Sequence, residues 1–276
     1  MSPTPAPIAA RRAAFRQLHA SGCFAIPNPW DIGSARYLAQ LGFKALASTS
    51  SGRAWSQGVA DGGLPLPAVL AYLRELVAAT NLPVNADFES GFANNAEGVA
   101  QNVRAAIDTG IAGVSIEDAT GHPAQPLMDL PSAVARLRAA RAAIDESGQD
   151  VLLIGRAENF FVGQPDLADT LRRLQAYAEA GADCLYAPGI GTPEQIAAVV
   201  AAVAPKPVNV LVGGASPLTM AELAALGVRR VSVGGALARA AWGGFQRAAR
   251  QLAEQGRFDG FEGAAAGREL NQRMGS

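Results

Sequence analysis

The sequence predicts an α/β protein with the (β/α)8, or TIM-barrel, fold. Short apolar runs alternate with stretches of helical periodicity, and the alternation repeats eight times. Glycines such as Gly181 and Gly227 stand where a helix would end just before the next strand. Eight strand–helix units favour a closed barrel over an open sheet. We therefore expect one barrel domain over residues 1–276, with an N-terminal helix and a C-terminal helical tail.

The elements follow from apolar periodicity and from capping residues. Predicted strands lie at 23–27, 45–48, from 84 to the acidic turn that starts at 87, and at 113–117, 151–156, 184–187, 208–212 and 230–233. Predicted helices span 8–20, 31–41, 67–79, 96–109, 132–146, 165–180, 193–203, 217–226 and 237–255. We expect residues 1–7 to be loosely ordered and 49–64 to form a polar loop. The apolar tail at 258–276 is either a packed helix or a segment that reaches a neighbouring subunit.

Composition narrows the class of partner. The net charge of −1 and the pI of about 6.2 provide no electrostatic footprint for nucleic acid or an anionic membrane. The sequence shows neither a signal peptide nor an apolar run that could span a bilayer, so we expect a cytoplasmic protein. Cys23 and Cys184 lie in apolar runs and predict buried thiols. A small-molecule substrate is the partner that remains.

The third predicted strand ends abruptly in acid, in the stretch V-N-A-D-F-E-S-G-F-A from Val84 to Ala93. Asp87 and Glu89 then lie at the carboxyl end of the strand. Two carboxylates so close repel each other unless a cation lies between them, and hard oxygen ligands suit Mg²⁺. Taken alone, the turn is better explained as a solvated acidic loop, because most Asp and Glu side chains are exposed.

Further polar residues lie at the carboxyl ends of the other predicted strands, which together form one rim of a barrel. The predicted strand ends carry Asn28, Ser48 to Ser51, Asp87, Glu89, Glu117, Asp118, Arg156, Glu158, Tyr186, Asn209, Gly234 and Gly235. Ordinary polar loops explain a few of these positions, but Glu117 and Arg156 end apolar strands and need partners if they are buried. Since barrel enzymes place their sites at this face, the ring predicts a metal ion beside an anionic substrate.

Six short motifs carry a resemblance. The runs P-N-P-W-D (27–31), S-T-S-S-G (48–52) with G-V-A-D-G (58–62), A-D-F-E-S-G-F (86–92), S-I-E-D (115–118) and G-R-A-E-N-F (155–160) resemble the isocitrate lyase and phosphoenolpyruvate mutase superfamily. The resemblance implies a Mg²⁺-dependent enzyme, with Mn²⁺ as a substitute, that acts on small 2-oxo or 2-hydroxy acids through a metal-stabilised enolate. It also implies a homodimer or homotetramer in which the eighth helix is exchanged between subunits.

The resemblance also implies roles for individual residues. Asp87 would bind the metal directly, with Glu89, Glu117 and Asp61 around it largely through water. Thr49, Ser50, Ser51, Arg156 and Asn209 would bind the substrate, with Arg156 on its carboxylate. The catalytic set would comprise Asp61, Glu117, Arg156 and His122.

One loop departs from the superfamily pattern. Residues 119–126 read A-T-G-H-P-A-Q-P, without the Lys and Cys that lyases of the superfamily carry there, so His122 is the only titratable side chain in the loop. Gly235 and Pro188 stand where some members carry a His. Carbon–carbon cleavage makes the least demand on a loop acid, and it is the predicted reaction. The alternatives are phosphonopyruvate-type P–C chemistry, a phosphate site at the glycine pairs 213–214 and 234–235, and a 2-oxo acid binder without turnover.

Overall fold

Eight parallel strands form the barrel in a computed structural model that describes residues 6–275. The strands are β1 (Phe24–Ile26), β2 (Leu46–Ala47), β3 (Val84–Asp87), β4 (Gly113–Glu117), β5 (Leu152–Arg156), β6 (Cys184–Tyr186), β7 (Val208–Leu211) and β8 (Arg230–Ser232). Their order around the sheet is β1-β8-β7-β6-β5-β4-β3-β2, and every pairing is parallel. This architecture confirms the predicted (β/α)8 barrel. Residues 1–5, part of the segment expected to be loosely ordered, lie outside the described residues.

The seam between β1 and β2 is closed by single hydrogen bonds. The Ala47 N–H donates to the Pro27 carbonyl over 3.1 Å. At the rim, the Asn28 amide donates to the Ser48 carbonyl over 2.9 Å, and its oxygen accepts from the backbone N–H groups of Val233 and Gly234. Asn28, predicted as a member of the polar ring, therefore joins the ends of β1, β2 and β8.

Eleven α-helices are found within residues 6–275. They are α1 (Ile8–Ala20), α2 (Ile32–Gln40), α3 (Ser50–Ser56), α4 (Leu66–Ala79), α5 (Ala96–Ile107), α6 (Leu130–Ser147), α7 (Leu167–Glu179), α8 (Pro193–Val203), α9 (Met220–Ala225), α10 (Ala236–Gln255) and α11 (Gly267–Met274). Side-chain caps begin several of them, as at Asp31 before α2 and Thr192 before α8. Over this part of the chain, none of the helices combines the length and apolar character that crossing a bilayer requires.

The segment expected to be a polar loop, 49–64, contains α3, so that prediction was wrong. Serine and glycine are poor helix formers, which hid the helix in the sequence. Thr49 caps it by accepting from the Gly52 N–H, and Gly52 lets the turn approach its neighbours. A Cβ at Gly52 would lie 3.0 Å from Trp30 and 3.2 Å from Ala238. Ser50 and Ser51 consequently open a helix at the rim of the barrel.

Helix α1 closes the bottom of the barrel. Its Phe15 is fully buried and reaches the first residue of β4, Gly113, where a Cβ would lie only 2.7 Å from the Phe15 ring. The same Cβ would lie 2.6 Å from the Asn85 amide oxygen. Gly113 therefore makes room for an aromatic plug and a polar side chain at one level of the interior. The larger apolar core lies outside the strands, between them and the helices.

Helix α10 packs on its own barrel only near its start, where Ala238 lies against Gly52. Ala238 is its only buried side chain, while Leu237, Trp242, Phe245 and Leu252 are exposed. A 3-10 turn (Asp259–Phe261) folds back against α10. The tail then ends in α11, which packs on α2. Of the two alternatives for the tail, the structure shows the packed extra helix.

Candidate active site

Arg156, the last residue of β5, is the centre of a charged cluster. Its Nη1 lies 2.7 Å from Asp87 Oδ1 and 3.0 Å from Glu117 Oε2, and its Nε donates to Glu158 Oε1 over 2.9 Å. The guanidinium side chain is 12% exposed, so water screens these ion pairs weakly. We call Asp87, Glu117, Arg156 and Glu158 the inner cluster. It places three carboxylates around a single cation.

Strand register brings these residues together. Glu117 and Arg156 are Cα partners at the ends of β4 and β5, and Asp87 ends the neighbouring β3. Asp87 is also tied to the start of α3, because its Oδ2 accepts from the Ser50 N–H over 2.9 Å. Its own N–H donates to the Ser48 hydroxyl. The sequence therefore builds the cluster from consecutive strand ends, as expected for a barrel site.

In the inner cluster three carboxylates share one guanidinium, and burial shifts the pKa values of Glu117 and Glu158. Burial raises the pKa of Glu117, against the pull of Arg156. Burial likewise raises the pKa of Glu158 to about 7. The pKa of Arg156 is raised, because its carboxylate neighbours outweigh the opposing effect of burial. Perturbed groups of this kind in a cleft are typical of functional sites, and a further cation would relieve the repulsion among the acids.

Two further acids lie at the same rim. Asp61 accepts a hydrogen bond from the Ser50 side chain and another from the Gly62 N–H. Burial, with the charges of Asp87 and Asp61, raises the pKa of Glu89 to about 7. Glu89 also has φ of +46°, a conformation that side chains other than glycine adopt rarely. Backbone strain of this kind clusters at functional sites.

The donor set fits Mg²⁺ rather than a soft metal. Every candidate ligand is a carboxylate oxygen, and the acids outnumber the cations. Between residues 6 and 275, no three His, Cys, Asp or Glu side chains are gathered as a direct chelating set. Mg²⁺ itself typically keeps several waters and takes one or two protein carboxylates. Asp87, with Glu89 and Glu117, remains the predicted metal set.

Asp118 follows Glu117 in the chain but faces away from the site. Its Oδ1 accepts from the Glu158 N–H over 2.8 Å, while Oδ2 accepts from Arg173 over 3.0 Å and from the Tyr177 hydroxyl over 2.6 Å. Arg173 also donates to Asp169. We call Asp118, Asp169, Arg173 and Tyr177 the outer cluster. Sequence reasoning placed Asp118 in the ring and missed Arg173 and Tyr177, although the two-residue period of a strand separates the faces of Glu117 and Asp118.

His122 lies at the exposed turn of the loop that follows β4. An antiparallel bridge between Ala119 and Leu127 closes this loop. The hydrogen bonds of His122 in the loop are made by its backbone, from its N–H to Thr120 Oγ1 and to its carbonyl from Gln125. Its catalytic role stays a prediction.

The predicted substrate-binding residues differ in what they already bind. Thr49 Oγ1 caps α3 and lies 3.1 Å from the Ser51 hydroxyl, whereas Ser50 directs its N–H to Asp87 and its hydroxyl to Asp61. The Asn209 amide is fully buried and binds Ser232 and Arg230 in the barrel interior. Of these residues, Ser50 is placed most directly beside the carboxylates. Substrate contacts remain predictions for all of them.

The glycine pair after β8 serves packing. The Gly234 N–H already donates to Asn28, so it is engaged within the fold. A Cβ at Gly235 would lie 2.8 Å from the Ser51 hydroxyl and 3.2 Å from the Trp55 ring. These contacts explain the glycines without the phosphate site considered as an alternative.

Comparisons with known proteins agree with the geometry. The sequence profile of the phosphoenolpyruvate phosphomutase family matches residues 15–253. A crystal structure of a protein from Burkholderia cenocepacia J2315, provisionally described as a lyase/mutase, is 48% identical with a TM-score of 0.94 and covers 98% of both chains. Oxaloacetate decarboxylase of Paraburkholderia xenovorans is 31% identical over 237 residues, 82% of this chain and 75% of that protein. Oxaloacetate acetylhydrolase bound to its product oxalate is 27% identical, with a TM-score of 0.85 over 98% of this chain and 95% of that chain.

Proposed function

Because the chain belongs to the phosphoenolpyruvate phosphomutase family, within the isocitrate lyase and phosphoenolpyruvate mutase superfamily, we propose that it is a Mg²⁺-dependent carbon–carbon lyase. Its substrate would be a small 2-oxo or 2-hydroxy acid, cleaved to an enolate. The observation that carries the proposal is the inner cluster, where three carboxylates surround Arg156. Asp87, Glu89 and Glu117 would hold the metal, which when bound would supply Lewis-acid stabilisation where negative charge develops.

The chain's own residues would bind and orient the acid. The planar guanidinium of Arg156 suits a carboxylate through two parallel hydrogen bonds. Ser50 would add its hydroxyl at the oxo or carboxylate end, next to Asp87. Asp61, bonded to the Ser50 hydroxyl, would hold that hydroxyl in place. Donors fixed before the reaction stabilise developing charge without reorganising during it.

The loop after β4 favours carbon–carbon cleavage over phosphoryl migration. Migration of a phosphoryl group needs a cationic group to hold it, and residues 119–126 contain neither Lys nor Arg. Cleavage next to a carbonyl leaves an enolate that solvent could protonate, so it makes a smaller demand on the loop. Two related proteins, an oxaloacetate decarboxylase and an oxaloacetate acetylhydrolase, act on oxaloacetate, which is a small 2-oxo acid of the proposed substrate class.

A substrate panel tests the proposal. Small 2-oxo, 2-hydroxy and phosphono acids would be incubated with the protein with and without Mg²⁺, and followed by a coupled pyruvate assay, by oxalate detection and by ³¹P NMR. We expect Mg²⁺-dependent cleavage of at least one carboxylic acid. Conversion of phosphonopyruvate alone would replace the proposal by P–C bond chemistry, and binding of 2-oxo acids without turnover would leave a non-catalytic binder.

We further propose that two copies exchange α10. Leu237, at the start of the helix, lines the chain's own groove, while Trp242, Phe245 and Leu252 leave the rest of its apolar face exposed. Beside β1 and β8 lies an apolar groove of about 740 Å³ bordered by α2, α9 and α11, where an eighth helix would complete the barrel's outer layer. An exposed apolar helix and an apolar groove on one chain are complementary in a symmetric pair.

Light scattering at micromolar concentration tests the exchange. We expect a dimer or tetramer, and we expect Trp242→Asp with Phe245→Asp to give a monomer because charges would enter the apolar groove. Arg250→Asp, on the same helix, serves as the control and should keep the wild-type mass. A monomeric wild-type protein would contradict the exchange.

A further inference from the structure

We propose that Arg230, buried in the barrel interior, is a positioning residue for Arg156. The two arginines are connected by strand register. Arg156 is the Cα partner of Tyr186, Tyr186 of Asn209, and Asn209 of Arg230. These residues lie on the neighbouring strands β5, β6, β7 and β8. Because Arg156 ends its strand and Arg230 begins its own, the row descends from the rim to the interior.

Side-chain contacts connect the row from end to end. The Tyr186 ring lies under the Arg156 guanidinium, 5.0 Å from its carbon to the ring centroid. The Tyr186 hydroxyl is hydrogen-bonded to Ser232. The Ser232 hydroxyl accepts from the Asn209 amide over 2.9 Å, and the Asn209 oxygen accepts from Arg230 Nε over 2.8 Å. Each link fixes the orientation of the next side chain.

Arg230, at the interior end of the row, is also connected to the inner cluster through β3. Arg230 Nη1 reaches Asn85 Oδ1 at 3.5 Å, across the barrel. Asn85 lies two residues before Asp87, so both belong to one face of β3. Asp87 in turn pairs with Arg156. Arg230 thus braces two members of the inner cluster, one through Tyr186 and one through β3.

The chemistry of Arg230 distinguishes it from an ordinary structural arginine. It is 2% exposed, and among the described residues it forms no ion pair with an acid within 4.0 Å. Burial lowers its pKa. A buried cation without a contacting carboxylate costs stability, so its place needs a reason. The row provides one, since Arg230 binds Asn209 and Asn85 and so fixes the side chains that lead to Arg156, whose like charge lowers the pKa of Arg230 further.

Loss of Arg230 should therefore make the Arg156 side chain more mobile, and not only lower the stability of the fold. Without its Nε–H, the Asn209 oxygen loses a buried donor, and the amide no longer holds the Ser232 hydroxyl in one direction. Tyr186 then loses a fixed partner, and the plane on which the Arg156 guanidinium lies becomes mobile. The role in substrate binding rests on the proposed function, but the orientation of Arg156 does not.

The test compares Arg230→Met with Arg12→Met. Arg12 is also buried, but it binds the backbone carbonyls of Ile107 and Ile111 at the bottom of the barrel, so its loss reports structural damage alone. The first readout is the Arg156 Nε–H resonance in ¹H–¹⁵N spectra, assigned through Arg156→Lys. We expect it to shift or broaden in Arg230→Met and to stay in place in Arg12→Met. An unmoved resonance in folded Arg230→Met would overturn the proposal.

The second readout is calorimetric binding of oxalate, a small dicarboxylate, in the presence of Mg²⁺. We expect about tenfold weaker oxalate binding in Arg230→Met and an unchanged affinity in Arg12→Met. A wild-type protein that binds no oxalate would contradict the proposed function, while the resonance would still decide the role of Arg230. If Arg230→Met does not fold, Ser232→Ala breaks the same row with a smaller loss of volume. An unmoved Arg156 resonance in Ser232→Ala would then overturn the proposal.

Discussion

The inner and outer clusters contain the adjacent residues Glu117 and Asp118, but they differ in how the buried negative charge is compensated. Asp118 receives three hydrogen bonds, from Tyr177, Arg173 and a backbone N–H, so its buried charge is matched by donors. The carboxylates of the inner cluster share Arg156 instead. Asp118 is surrounded by donors and belongs to the packing between β4 and α7, whereas the inner cluster, with three acids to one guanidinium, has the larger excess of negative charge and is the one prepared for a cation.

The largest effect on stability should come from the outer cluster. Arg173→Met leaves Asp118 buried beside fewer donors, and we expect the free energy of unfolding to fall by about 3–5 kcal/mol. Chemical denaturation measures the loss. Arg172→Met is the matched control, because Arg172 pairs with the same Asp169 from an exposed position and should change stability by less than about 0.5 kcal/mol. Equal losses in the two variants would remove the structural role given to the outer cluster.

The inner cluster should respond in activity. Arg156→Lys keeps the charge but loses the planar fork, and we expect kcat/KM for the identified substrate to fall by a factor equivalent to about 2–4 kcal/mol. Arg141→Lys, which alters an ion pair away from the site, should leave kcat/KM unchanged. If Arg156→Lys retained the wild-type value, Arg156 would be structural and the contrast between the clusters would fail.

Two acids, Asp169 in the outer cluster and Glu89 beside the inner cluster, should give opposite pH dependences of stability in the metal-free protein. Hydrogen bonds from Arg173, Arg172 and Asn159 hold the pKa of Asp169 well below its usual range, against the effect of burial. The stabilisation from Asp169 is therefore present above its unfolded pKa, near 4, and is lost as the pH falls.

Glu89 has the opposite sign. Its pKa is raised from 4.5 to about 7, so its contribution is present below pH 4.5 and is lost as the pH rises through 7. Denaturation in EDTA between pH 4 and 8 should show this decline in the wild type and a flatter profile in Glu89→Gln. An identical slope in both proteins would show that Glu89 does not titrate in this range.

The smallest effect should come from the loop. Since His122 is exposed and bonded through its backbone, we expect His122→Asn to lower kcat by less than about tenfold. A positioned general acid or base typically contributes about 10²–10⁴-fold. A loss of that size, with an unchanged pH profile elsewhere, would instead assign the missing acid to His122.

How much of the site could be predicted from the sequence depends on how far apart in the chain the interacting residues lie. Asp87, Glu117 and Arg156 could be placed together because each ends an apolar run, and the ends of parallel strands meet at one rim. Helix α3 was hidden, since close packing at Gly52 outweighs the poor helix propensity of its serines. The position of α10 could not be derived either, because its apolar stripe would serve its own barrel as well as a neighbouring one.

Buried polar side chains were the least predictable part. Asn209 reads as a rim residue, but in the structure both ends of its amide are bonded inside the barrel, to Arg230 and Ser232. These partners lie on the neighbouring strand β8, 21 and 23 residues further along the chain, so no local sequence pattern predicts them. The outward turn of Asp118 could have been inferred from strand alternation, whereas its pairing with Arg173 required the packing of α7.

Calorimetric titration of Mg²⁺ tests the central claim most directly, namely that the surplus negative charge of the inner cluster is a metal site anchored by Asp87. Wild-type protein, Asp87→Ala and Asp129→Ala would be compared, the last because Asp129 caps α6 on the exposed surface. We expect wild type and Asp129→Ala to bind Mg²⁺ alike, and Asp87→Ala to bind it far more weakly or not at all. An Asp87→Ala isotherm that matches the wild type, or a wild-type protein that binds no Mg²⁺, would contradict the claim.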